Sequence, residues 1–86
     1  MDTHFESRFR LIRLKEVLNI TAISSSSHYL AITNGLMVKP IPLGAKSSAY
    51  PLHEIESIIA AKISGRSNNE IKELVSNLME QRKSLS

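Results

Sequence analysis

Three prolines fix where this chain cannot be helical. Pro40 and Pro42 stand inside the stretch VKPIPLGAKSSAYP, and Pro51 closes it. Proline has no amide hydrogen and its ring collides with the preceding turn, so no helix passes through 40–42. Ile41, Leu43, Ala49 and Tyr50 suit short extended strands around a turn at Leu43–Ser48. The expectation is a β-hairpin with Gly44 and Lys46 near its tip, its strands kept short and at an edge by the prolines. Pro51 is different, because the first position of a helix tolerates proline. Helical segments are therefore expected on both sides of a small hairpin.

Upstream, LIRLKEVLNITAI places Leu11, Leu14, Val17, Leu18 and Ile20 on one helical face, with Lys15 and Glu16 opposite. Asn19 to Thr21 is expected to break that helix, since Asn and β-branched residues disfavour its continuation. Four serines follow, Ser24 to Ser27. A flexible linker would continue in polar or glycine-rich residues, whereas here Tyr29, Leu30 and Ile32 come next, then Asn34-Gly35. Ser24 is a good N-cap, Ser25 to Ser27 form a first turn, and Asn34-Gly35 is a stop. The stretch Ser24–Asn34 reads as a helix. With Ile20 and Ile23 packed beneath the connection, the two helices make a helix-turn-helix, whose second helix places its first turns in a major groove. Tyr29 is expected in the core, and His28 elsewhere around the helix, within reach of a phosphate or a base.

Downstream, Leu52, Ile55, Ile58, Ile59 and Ala60–Ile63 form an apolar face that Gly65 ends. Ser67 with Glu70 is a capping box, and Ile71, Leu74, Val75, Leu78 and Met79 make a complete stripe behind it. Glu80, Gln81, Arg82 and Lys83 are expected in solvent. Such a stripe either packs on the domain or pairs with its twin. The small core of an 86-residue chain favours a homodimer through Ile71, Leu74, Val75 and Leu78. The organisation expected is an N-terminal arm at 1–8, a winged helix-turn-helix at 9–65 and a C-terminal amphipathic helix at 66–86. The fold class is mainly α with a small β-hairpin.

Charge points to a partner. The net charge is +3, yet Val17 to His53 contains no Asp or Glu. Lys39 and Lys46 lie within that span, and Arg8, Arg10, Arg13 and Lys15 precede it, so double-stranded DNA can approach without repulsion. The contacts expected are Ser24, Ser25, Ser26, Ser27 and His28 on the helix, Lys46 and Ser47 on the wing, and Arg13 and Lys15 before them. Short hydroxyl side chains reach phosphates or base edges without blocking close approach.

Other chemistries find no residues to carry them. His4, His28 and His53 have no cysteine or carboxylate partner at metal-ligand spacing, so no metal is expected, and His53, Glu54 and Glu56 read as solvated helix-start residues. PLGAKSS has only the Gly-x-Lys-Ser order of a phosphate loop and lacks its upstream glycine. No serine has an identifiable acid–base partner, so neither enzyme activity nor a cofactor is expected. There is no cysteine, no run long enough to span a membrane and no secretory leader in MDTHFESRFR. A cytoplasmic protein is expected.

In order and spacing, RLIRLKEVLNIT-AISSSSHY followed by NGLMVKPIPLGAKSSAY resembles the AlpA-like phage and prophage regulators over about residues 9–60. Arg13-Leu14-Lys15-Glu16-Val17 matches that family's first helix, and Ser24, Ser26 and Tyr29 its second. Gly35, Lys39, Pro40, Leu43 and Gly44 match the start of its wing, and Glu54-Ile55 the helix beyond. Departures fall where the family carries cations or bulk. Ser25 stands for arginine, Ser27 for threonine and Leu30 for a basic residue, while Lys46 replaces arginine, Tyr50 tryptophan and Met37-Val38 Phe-Pro. The resemblance implies a winged helix-turn-helix related to the MerR and excisionase domains. It further implies a sequence-specific transcriptional regulator of a prophage or mobile element. Alternatives are an excisionase-like recombination directionality factor that bends DNA with an integrase, and a helix-turn-helix now used for protein interaction.

Overall fold

The computed structural model describes residues 9–85. The arm expected at 1–8 lies outside the described residues. In chain order the elements are β1 (Leu11–Ile12), α1 (Leu14–Thr21), α2 (Ser25–Thr33), β2 (Ile41–Pro42), β3 (Ser48–Pro51), α3 (Leu52–Ile63), α4 (Asn68–Gln81) and a 3-10 turn (Arg82–Ser84). This is a winged helix-turn-helix carrying a C-terminal amphipathic helix.

The wing is a three-stranded antiparallel sheet in the order β1-β3-β2, not a two-stranded hairpin. Leu11 and Ile12 pair with Pro51 and Tyr50, and Ile41 and Pro42 with Ala49 and Ser48. The first helix therefore starts at Leu14, later than its apolar spacing predicts. Leu11 is half exposed on the sheet, and Ile12 is buried with Tyr50. The Leu52 amide extends the pairing by donating to the Arg10 carbonyl at 2.8 Å.

Helix α1 is also longer at its other end than expected. Thr21 keeps its helical place by donating its hydroxyl to the Val17 carbonyl at 2.7 Å. Ala22 stops the helix in the left-handed region, at φ 61° and ψ 32°. Ile20, expected beneath the turn, is 41 % exposed and lies outside the buried core. Helix α2 ends at Gly35 (φ +77°), where the Gly35 amide donates to Ile32 and the Leu36 amide to Ala31. That paired closure needs a left-handed residue after the cap, which glycine adopts without strain. The chain then runs straight into Met37 and Val38, both fully buried.

Helix α4 completes the core. Both halves of its capping box form, with the Ser67 hydroxyl accepting from the Glu70 amide at 3.2 Å and Glu70 Oε1 accepting from the Ser67 amide at 2.9 Å. That backbone donor holds the Glu70 carboxyl below its ordinary range. Ile71, Val75 and Leu78 are buried in one cluster with Ile55 and Ile58, and Leu74 packs against it half-buried. The stripe expected to join two copies is thus consumed inside one. An isolated α3 would leave Ile55 and Ile58 without a cover, and α4 supplies it.

Two charged residues expected in solvent are not there. Glu54 is buried and Arg82 is largely covered, side chain 19 % exposed. Arg82 donates from Nε to Glu54 Oε2 at 3.0 Å and from Nη2 to Oε1 at 2.7 Å. Nη2 also donates to the Lys39 carbonyl at 2.8 Å, at the foot of the wing. A buried carboxylate requires such a partner, because an uncompensated charge in the interior is costly.

Candidate nucleic-acid interface

The serine cluster divides into two pairs. Ser24 caps α2: its hydroxyl accepts from the Ser27 amide at 3.2 Å and donates to Ser27 Oγ at 3.1 Å. These two are occupied with each other. Ser25 and Ser26 are exposed, and their hydroxyls make no hydrogen bond among the described residues. The short connection Ala22–Ser24 presents this helix start at the surface.

His28 is not on that surface. It is fully buried, with Nε2 at 2.8 Å from the Tyr50 hydroxyl and the two rings edge-to-face at 5.2 Å. Burial pulls the His28 pKa below its ordinary value and pushes that of Tyr50 up, the latter with a smaller contribution from Tyr29. His28 therefore acts as a strut between α2 and the central wing strand, and a base or phosphate does not reach it. Its Nδ1 is buried without a hydrogen-bond partner.

Tyr29 is the converse case. Expected in the core, it is 52 % exposed, and Leu30 beside it is 61 % exposed. The inward face of α2 is His28 with the half-buried Ala31 and Ile32, so the outward face is Ser26, Tyr29, Leu30 and Thr33. Those four stand at i, i+3, i+4 and i+7, a helical face in their own right. The spacing was visible in the sequence. What it lacked was a sign saying which face is dry, since a histidine occupies the inner one.

The wing tip is closed by the Leu43 amide donating to the Ser47 carbonyl at 2.8 Å. Lys46 is exposed at the tip, while Ser47 is half-buried with its carbonyl already engaged. Arg13 and Lys15, at the start of α1, are exposed. None of Arg13, Lys15 and Lys46 has an ion pair among the described residues. Arg10 only approaches Glu16, at 3.8 Å on an open surface.

Charge is divided along the chain. Residues 9–53 hold five Lys or Arg and one acid, whereas 54–85 hold five of each. The first acid after the uncharged span is Glu54, which Arg82 neutralises in the interior. The half of the sequence that contains α2 and the wing is thus cationic at its surface.

Elsewhere, a hollow of about 460 Å³ is lined mainly by Phe9, Leu11, Ile41, Pro51, His53 and Leu85, over the neutralised Glu54. It contains no residue of α2 or of the wing tip. Among the described residues no cluster of His, Asp or Glu has the makings of a metal site, and no helix is long and apolar enough to cross a membrane.

A family model described as Prophage CP4-57 regulatory protein (AlpA) matches residues 10–63. The match runs from β1 through both helices, the wing and the whole of α3. No curated protein and no solved structure matches the chain. With more than half of the sequence under that model, the chain belongs to the AlpA family of prophage regulatory proteins.

Proposed function

We propose that this protein is a sequence-specific regulator of transcription in a prophage or mobile element, acting by binding double-stranded DNA. The observation that carries the reading is the long acid-free stretch that folds into α2 and the wing. No acid falls between Val17 and His53, and Glu54 is buried against Arg82. In this reading α2 enters the major groove, with Ser25 and Ser26 at base edges or phosphates. Ser24 and Ser27 hold the helix start in shape. Arg13 and Lys15 meet the backbone on one side, and Lys46 with the Ser47 segment meets it at the wing. Membership of a regulatory family supports a regulatory role.

The test is a titration of the full chain against DNA upstream of its own gene and of any neighbouring integrase gene. Random DNA serves as the comparison, at two salt concentrations. Specific binding is expected, with affinity falling linearly in log salt at a slope of about −0.9 per phosphate neutralised. Glutamates at Ser25 and Ser26 should abolish it. Weak binding indifferent to salt and to both glutamates would overturn the proposal.

A second reading has one observation in its favour. Helix α2 carries no Asp, Glu, Lys or Arg, which suits a module that meets a protein such as an integrase. An excisionase-like factor would instead bind several adjacent sites and bend the duplex, which circular-permutation gel shifts detect.

A further inference from the structure

The outward face of α2 has a chemistry that narrows what it can read. Between Ser25 and Thr33 there is no Arg, Lys, Asn or Gln. Those are the side chains that grip guanine or adenine through two hydrogen bonds in the major groove. His28 is turned into the core, and the hydroxyls of Ser24 and Ser27 are spent on the cap. Thr33 donates its hydroxyl to the Tyr29 carbonyl at 3.1 Å, so its methyl group is what remains to offer outward. Leu30 and Tyr29 are then the side chains that project furthest from a surface otherwise made of serines.

We propose that this face reads thymine, with Leu30 and Tyr29 packing on the C5-methyl groups that thymine presents in the major groove, and Thr33 extending the same apolar surface. The inference rests on the DNA-binding reading and deepens it. The occupant is argued from charge complementarity: an apolar strip in a stretch of chain that carries Lys39 and Lys46 and no Asp or Glu suits the methyl-bearing floor of an anionic groove better than it suits an apolar protein patch. The thymine methyl is the one apolar group that the major groove displays. Binding strength comes from Arg13, Lys15 and Lys46 on phosphates, and discrimination from methyl contacts.

The experiment selects duplexes from a randomised pool with the full chain. The tightest is then remade with uracil for thymine, one position at a time. Uracil keeps every hydrogen-bonding group and removes only the methyl. The expected result is thymine enrichment and about fourfold weaker binding per contacted methyl, from the transfer free energy of one buried carbon. The salt slope should not change. Leu30→Ala and Tyr29→Ala, both at exposed positions, should bind more weakly and lose the penalty at the positions each one contacts. Uracil duplexes bound as tightly as thymine ones, or a penalty that survives both variants, would overturn the inference and leave DNA binding intact. Failure to enrich any duplex overturns both.

Discussion

His28 and Tyr50 show how a single polar contact joins α2 to the central strand of the wing. Neutral imidazole is the form the core accepts, since burial disfavours its charge. The unfolded chain therefore takes up the proton first as pH falls. Stability is complete above the ordinary histidine value of about 6.5 and declines below it until the lower folded pKa is passed. We expect the unfolding midpoint to drop between pH 7 and pH 5, and His28→Gln to flatten that profile. Tyr50→Phe, which strands a buried ring nitrogen, should cost about 1–3 kcal/mol at pH 7 in urea titrations. A wild-type curve that is level with pH would contradict this account. Sequence could not reveal the pair, because the partners are 22 residues apart and histidine reads as a surface residue. The caps at Ser24 and Ser67 were legible, because each depends on residues within three positions.

At the scale of elements, short helices are decided by their ends. Helix α1 closes on Ala22 at φ 61°, a conformation that costs a residue bearing a Cβ about 1–2 kcal/mol. Alanine gives no signal of such a stop, so the break was looked for at Asn19 to Thr21. Ala22→Gly should relieve the strain and stabilise the domain by about 1 kcal/mol, raising the thermal midpoint by several degrees. A lower midpoint would show that the freedom glycine adds to the unfolded chain outweighs the strain. β1 was missed for another reason. Two residues carry no period, and Leu11 continues the helical spacing of Leu14 and Leu18 by coincidence. Helix α2 was found with its ends correct and its faces exchanged, because apolar residues lie on both sides of it.

For the molecule as a whole, α4 and the turn after it turn a helix-turn-helix into a closed body. The amphipathic stripe was plain in the sequence, but whether it covers its own core or a twin depends on what α3 leaves exposed. Arg82 gave no warning, since a terminal arginine normally stays in water. Arg82→Ala leaves Glu54 buried and unpaired, so a loss of about 3–5 kcal/mol is expected in chemical denaturation. Adding Glu54→Gln should recover part of it. An Arg82→Ala protein as stable as the parent would mean that Glu54 finds water in its place.

The Arg82 fork spans 28 residues to Glu54 and 43 to the Lys39 carbonyl. During synthesis, α2 and the wing are made before the guanidinium that neutralises the Glu54 carboxylate. Until position 82 emerges, Glu54 lacks the guanidinium that pairs it in the interior. Long loops are slow to close for entropic reasons. The interior is therefore completed only with α4, and the foot of the wing gains its Lys39 hydrogen bond with that single late arginine.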